Sequence, residues 1–450
     1  MIDTKDSTDR YQASFQQRET ALSAAGQAWF LPTRQAAMSR FGELGFPTTR
    51  HEEWQHTSVA PIARTAFQHA AGVDAAVSPA DVQRLALPGG TSARLVFVNG
   101  WYAPRLSDLG DLPAGVRVGS LDETAGRDPA LLEPHLARHA AFDDHAFVAL
   151  NTALMQDGGL VYVPRHTVVE RPVELLFIAT PGAEPRAIHP RNLVLVDADS
   201  QVTLVETHAT VTPGDGAAYF NNPVTEIVAG DNSVVDHYKV VREAAAAFHV
   251  GTLQVHQFRS SNVSAHVVSA GGTLVRNDIN ALLDDEGGEC NLYGLYLIGG
   301  EQHVDNHLRV EHARPHCDSR EFFKGVLDGR ARGAFTGRIV VHPDAQKTDA
   351  KQSNMSLLLS PHAQVDSKPQ LEIFADDVKC THGATIGQID DEAIFYLRAR
   401  GIGEAAARSL LIQAFAREAL AGVRIEPLRR RLEELVLARL PEANLLQETA

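Results

Sequence analysis

From about residue 160 to residue 387 the chain shows short runs of alternating or continuous apolar residues and almost no helical period. "GLVYVPRH", "VELLFIAT", "NLVLVDADSQVTLVETH" and "TEIVAGDNSVVDHYKVVRE" read as strands, punctuated by turns of Gly, Asp, Asn and Ser. Comparable segments begin near Glu289, Gln302, Cys317, Ala331, Ala345, Ala363 and Val378. Their spacing, roughly 13 to 18 residues, is that of half-coils in a β-solenoid, each one strand plus one turn. No single coil could bury its inner row of residues, so stacking is required. An antiparallel sandwich also gives regularly spaced strands. The great length of the run, the near absence of tight Asn-Gly hairpins within it and the size of the step favour the solenoid.

Helical patterning flanks this region. Residues 8–45 are rich in Ala, Gln, Glu, Arg and Leu with apolar residues three and four apart, and Pro32 splits them into two helices or kinks one. A loop containing Trp54 follows. "SARLVFVNG" (92–100) reads as a strand ended by Asn-Gly, and "DPALLEPHLARHA" as a helix. After Gly387 the helical period returns, with Asp390 and Asp391 as start residues. One later helix carries Leu410, Leu411, Ala414, Phe415 and Ala419 as its apolar stripe; the last carries Leu428, Leu432, Leu435, Val436 and Leu440. These helices are expected to cap an open end of the solenoid, which would otherwise expose unpaired strand edges. Their charged faces, with Arg429, Arg430, Arg431, Glu433 and Glu434, offer a second use as a docking surface. The expected fold is mainly β: a right-handed parallel β-helix core over 151–387, an N-terminal helical and mixed domain over 1–150, and a C-terminal helical domain over 388–450.

Composition narrows the function. Of 450 residues, 44% are hydrophobic and 22% charged, with 41 basic against 56 acidic residues and a net charge of −15. Such a chain repels phosphate backbones, so no nucleic-acid partner is expected. Three cysteines, Cys290, Cys317 and Cys380, do not make a disulfide framework and fit a reducing cytosol. The N-terminus is polar and the longest apolar runs fall far short of the roughly 20 residues of a membrane span, so a soluble, cytoplasmic protein is expected.

Candidate chemistry centres on Cys380-x-His382. In a strand over 378–386, Val378, Cys380, His382, Ala384 and Ile386 share one face, and Lys379, Thr381, Gly383 and Thr385 the other. Cys380 and His382, about 6.5 Å apart at Cα, could hold one soft metal ion together, with further ligands from another coil or subunit. Equally, the pair could pack there among Val and Ile, free cysteine being a small hydrophobe. "EQHVDNHLRVEHARPHC" holds His303, His307, His312, His316 and Cys317, read as solvated strand and turn residues. No phosphate-binding loop of the G-x-x-x-x-G-K-[ST] type is present, so no ATP is bound by this chain itself. No G-x-S-x-G is present either.

The stretch "DAQKTDAKQSNMSLLLSPHAQVDSKPQLEIFADDVKCTHGATIGQIDDEAIFYLRARGI" (344–402) resembles the SufB/SufD family of iron–sulfur cluster assembly scaffolds. So does "GFPTTRHEEWQHT" (45–57), which matches a Gly-x-Pro…Glu-x-Trp-x-x-Thr motif near the family's N-terminus. The SufB branch carries a cysteine where this chain has Leu397, and the SufD branch carries Cys-x-His, matched by Cys380 and His382. The resemblance therefore points to the SufD branch. It implies a scaffold subunit rather than an enzyme, paired with a SufB-like paralogue through the C-terminal end of the β-helix. It also implies a SufC-like ATPase bound through the helices from Gly403 to Leu440, and a transient cluster or iron at the SufB–SufD interface. Two other roles remain open for the residues as read: a β-helix polysaccharide enzyme, with carboxylates along a groove, and a purely structural homodimer.

Overall fold

The computed structural model describes residues 4–24, 27–69, 72, 76–180, 182–211 and 216–439. Leu440, read above as part of the last apolar face, and the rest of the chain to residue 450 lie outside the described residues. Two long sheets face each other. One carries eight parallel strands from Gly159–Val163 to Gln364–Ile373; the other carries eight from Val173–Ala179 to Lys379–Gly387. Successive strands alternate between the sheets, so the chain coils as a parallel β-solenoid of about seven turns. The parallel register excludes the antiparallel sandwich.

The sequence builds this coil from its alternation. Every second residue of each strand points into the bore, and the inward rows of Val, Leu, Ile, Ala and Phe merge into one continuous core. The turns repeat as well. Asp199, Asn232, Ser260, His316 and Lys347 each sit at positive φ, between 52° and 65°, at the same corner of successive coils. The amide of one such residue donates to a carbonyl in the corner of the next coil: Ser260 N to Glu286 O at 2.9 Å, His316 N to Gln346 O at 2.9 Å. A polar corner thereby continues the stacking that the strands begin. The expected strand starts fall within one residue of the observed ones except Ala345, whose strand begins at Asp349. Residues 345–348 instead form a corner around Lys347 at φ 65°.

Two aromatic residues lock neighbouring rungs. Phe323 lies over Gly294, its register partner, and Tyr296 lies over Gly325. A Cβ at either glycine would fall inside the ring. Gly325→Ala is expected to destabilise the fold by about 1–3 kcal/mol, the cost of overpacking a closed core. Chemical denaturation of the two proteins checks this, and an unchanged midpoint would refute it.

At the N-terminus, helices Thr4–Ala24 and Leu31–Leu44 follow the expected split, with Pro32 in the first turn of the second. The Asn-Gly step turns a hairpin between Ala93–Val98 and Trp101–Tyr102, with Asn99 and Gly100 at positive φ. The segment expected to be helical from Asp128 is so only over Pro129–Leu132. Beyond it the backbone leaves the helix because buried Glu226 collects the amides of Ala137, His139 and Ala140 at 2.9–3.0 Å.

The C-terminal helices Asp391–Arg398, Glu404–Leu420 and Glu426–Ala438 do not cap the solenoid. The last two lie back along the outer face of the second sheet, where Ile412, Ala416, Leu420, Leu428, Leu432 and Val436 pack against Val240, Val268, Leu297 and Val326. Their hold is partly polar. Buried Lys324 donates to Phe415 O at 3.2 Å, lies 4.1 Å from the Phe415 ring and pairs with Glu418. Arg424 pairs with Asp236 at 3.2 Å. The stripe expected on Glu404–Leu420 is displaced: Leu410 and Ala414 face solvent while Ile412 and Ala416 are buried. That helix is apolar on nearly every side, so periodicity does not choose its face.

Candidate functional site

With the helices folded back, the C-terminal end of the solenoid stands open. Among the described residues, Gln364–Ile373 and Lys379–Gly387 each pair on one side only, leaving a strand edge unpaired in both sheets. Five of the eight large hydrophobic residues exposed among those described, Ile373, Phe374, Ile386, Phe395 and Tyr396, lie on these strands, just after the first of them, or on the following helix. Exposed apolar surface is thus concentrated at this end of the rod.

Cys380 and His382 sit on that last strand. Cys380 stands in register with Ala350 and His382 with Gln352, both buried residues of the inward row. The two side chains therefore continue the core row onto the final rung, where no further coil covers them. Lys379 lies on the opposite face, as strand parity requires. Cys380 is half-buried, packed against the cluster of Ile339, Val341, Ala345, Ala350 and Ala375; His382 is exposed. Burial, first, and the charge of Asp349 push the Cys380 thiol above its ordinary pKa, against the amide of Ala350. Burial thus favours the neutral thiol over the thiolate at this position. All three cysteines are free, and Cys290 is fully buried on the same inward row. Among the described residues no group of three or more His, Cys, Asp or Glu side chains converges on a metal position. At this end the described residues place two potential donor side chains, Cys380 and His382, on one face.

Behind His382 the polar row runs inward. Gln352 Nε2 donates to Glu321 Oε2 at 2.5 Å, and its amide fills the space left by Gly337 across the bore. The other oxygen of Glu321 has no partner among the described residues, and burial pushes the carboxyl up to about 7. The folded state therefore keeps this proton where the unfolded chain has released it. Stability from this group is greatest below the ordinary glutamate range and falls as pH rises through about 7. Glu321→Gln is expected to be less destabilised than the parent by a move from pH 5 to pH 8. Denaturation midpoints at the two pH values check this; equal losses in both proteins would refute it.

The tryptophan motif finds its role in a clamp across the first sheet. Trp54 lies under the guanidinium of fully buried Arg276, 3.8 Å from its ring centroid. Arg276 donates to Glu53 O at 2.8 Å and pairs with Asp278 and Asp305, both at 2.7 Å. Thr57 donates to Asp305 at 2.5 Å and contacts His303 Nε2 at 2.8 Å. Glu53 pairs with His307, whose hydrogen bond is the main cause holding its carboxyl down at about 2, and with Arg338. Glu52 meets Lys368 at 2.7 Å on the last strand of that sheet. The histidines read as solvated thus divide. His316 is an exposed corner residue, but His303 and His307 anchor the clamp, and His312 is buried with Ser319 at 2.9 Å. Arg276, Asp278 and Asp305 were not singled out in the sequence. Their signal is charge at alternate positions within a strand, as in Arg276-x-Asp278. Of the charged tail residues, Arg431 is spent on the carbonyls of Arg84 and Ala86, while Arg430 and Glu434 remain exposed.

Comparison with known proteins bears on all of these features. A family model described as SufBD protein N-terminal region matches residues 5–175. A second, described as SUF system FeS cluster assembly, SufBD core domain, matches residues 177–415. An iron–sulfur cluster assembly SufBD family protein of Synechocystis is 33% identical over 426 residues, 94% of this chain and 93% of the relative. The iron–sulfur cluster assembly protein SufD of Escherichia coli is 31% identical over 412 residues, 91% and 93% of the two chains. SufD of Bacillus subtilis is 28% identical over 320 residues, 70% and 71% of the two.

Proposed function

The chain belongs to the SufB/SufD family of iron–sulfur cluster assembly proteins, on its SufD branch, and from that premise we propose that it is a scaffold subunit of a SufBCD-type complex. In this reading its open solenoid end pairs with a SufB-like paralogue, and its C-terminal helices receive a SufC-like ATPase. It works in the cytoplasm as a scaffold, without catalysis of its own. No helix among the described residues is long and apolar enough to cross a membrane. The division of labour follows 1–150 as brace, 151–387 as rod and 388–450 as ATPase dock.

The observation that carries the reading is the open last rung. It offers unpaired strand edges, exposed Ile386 and Phe374, and a thiol and an imidazole on one face. A second solenoid end can extend both sheets edge to edge and bury the apolar residues. Cys380 and His382 then lie at a seam, where the partner supplies the missing donors. Thiolate and imidazole both suit iron. Iron and sulfide are cargo here, and the two side chains hold them transiently during assembly. A homodimer through the same end is the form expected of the chain alone.

The pairing is tested with Phe374→Asp/Ile386→Asp. Co-purification with a SufB-like partner is expected to fall at least about tenfold, since each desolvated aspartate opposes burial. Retention of a SufC-like ATPase should be unchanged, because the tail helices pack elsewhere. Undiminished pairing of the variant would remove the open end from the interface.

A further inference from the structure

A second constellation of imidazoles lies on the outer face of the first sheet, away from the open end. His256 projects from the strand Ala247–Gln257, and its Nε2 meets Asp284 Oδ2 at 3.0 Å. Its Nδ1 faces His139 Nδ1 at 3.1 Å. The far nitrogen of His139, Nε2, meets His135 Nδ1 at 3.3 Å. Each ring is pinned. His256 stacks on Phe258 at 4.8 Å and 22°, and His139 stacks on His135 at 5.6 Å and 17°. The backbone of His139 is seated on Glu226, itself held by Arg191 at 2.7 Å, and all of Glu226 and Arg191 is buried. This is a built arrangement, and nothing in the clamp or the open end uses it.

The hydrogen positions follow from the ends of the row. The Asp284 carboxylate only accepts, so a neutral His256 donates from Nε2 and leaves Nδ1 as a bare lone pair. In the free protein His139 donates from Nδ1 to that lone pair at 3.1 Å and accepts at Nε2 from His135 Nδ1; the other His139 tautomer, donating from Nε2 to His135, bares Nδ1 as well and opens both facing lone pairs to an ion. Two nitrogens at 2.0–2.1 Å from a tetrahedral ion stand about 3.3–3.4 Å apart. The observed gap matches that bite with a shift of a few tenths of an ångström. Each facing ring is also backed from behind, His256 by a carboxylate and His139 by a second imidazole, the support that fixes tautomer and orientation in histidine metal sites.

We propose that His139 Nδ1 and His256 Nδ1 form a two-histidine site for a borderline divalent transition-metal ion, separate from Cys380 and His382. Asp284 and His135 are positioning residues. Two protein donors are consistent with the absence of any converging group of three among the described residues. Water or a donor from solvent completes the shell. His139 also borders a groove of about 500 Å³ that runs on to Trp54 and Arg276. When the ion binds, the His139 proton leaves Nδ1, Nε2 takes the proton from His135 Nδ1, and His135 regains one at its own Nε2. The ring protons therefore balance without net release. Imidazole pairs of this kind take Zn²⁺, Co²⁺, Ni²⁺ or Fe²⁺ in preference to Mg²⁺ or Ca²⁺.

The test uses the full chain in a Cys380→Ala/His382→Ala background, stripped of metal and titrated with Co²⁺ by calorimetry and visible absorption. Saturable binding near a single equivalent is expected, with the absorption of a nitrogen-ligated cobalt ion. His139→Ala and His256→Ala should each weaken it at least about tenfold, and Asp284→Asn by about 10–100-fold. Circular dichroism establishes that each variant is folded. Binding unchanged in a folded His139→Ala/His256→Ala variant would overturn the proposal. So would weak, non-saturating binding, which marks an adventitious ion only. Because the background lacks both open-end donors, the result is independent of the function proposed above.

Discussion

Replacing Arg276 by methionine is expected to lower the stability of the protein by about 3–5 kcal/mol, the cost of breaking a buried ion pair from one side. Arg276 is buried to 2% exposure and serves two carboxylates, Asp278 and Asp305, that are themselves 2% and 3% exposed. Without the guanidinium both are stranded under Trp54 and the N-terminal segment. The charge of Arg276 is the largest opposing influence that keeps the Asp278 carboxyl far below its ordinary range despite burial. The loss should therefore be larger at pH 8 than at pH 4, where protonation relieves the stranded groups. Urea denaturation followed by tryptophan emission reads the change. A loss under about 1 kcal/mol would mean that water reaches the two carboxylates once the arginine is gone. A triple replacement, Arg276→Met/Asp278→Leu/Asp305→Leu, should recover much of the stability, because it removes the charges together.

The second large effect is expected at the open end. In a complex reconstituted with SufB-like and SufC-like partners, Cys380→Ala should slow cluster formation at least about tenfold, and His382→Ala should act in the same direction. The thiol is the only one of the three not sealed in the core, since Cys290 and Cys317 are fully buried. Its resistance to ionisation favours a role in which arriving iron draws off the proton. Cys290→Ala and Cys317→Ala serve as controls and should assemble cluster at the parental rate. Visible absorption of the forming cluster under anaerobic conditions gives the measurement. If Cys380→Ala and His382→Ala both match the parent, these residues are packing at the seam and nothing more.

Much of the rod is written in local alternation. Strand starts from Glu289 to Val378 are visible because polar corners interrupt apolar runs at a regular step. Ala345 misled because Ala-Gln-Lys-Thr carries no glycine or proline to mark a corner, while Lys347 adopts positive φ under tertiary constraint. The parity of Cys380 and His382 follows directly from a period of two. What could not be read was where the tail would lie. A helix such as Glu404–Leu420 is apolar on several faces, and the surface that selects one of them, around Val268 and Leu297, is more than a hundred residues away in sequence. The clamp was hidden for a similar reason. Trp54 and Thr57 announce a motif, but their partners Arg276 and Asp305 become legible only once the rungs are stacked.

That clamp also bears on the order in which the molecule can be completed. Thr57 joins Asp305 across a separation of 248 residues, and Glu52 joins Lys368 across 316. During synthesis the tryptophan segment leaves the ribosome long before its landing surface exists. It must wait, unsatisfied, while rung after rung is laid down. The rod can grow by local addition, but the splint along its side sets only when nearly the whole chain has emerged. Truncated chains ending before Lys368 would carry a loose strap and an exposed seam, and they would be recognisable to proteases as unfinished.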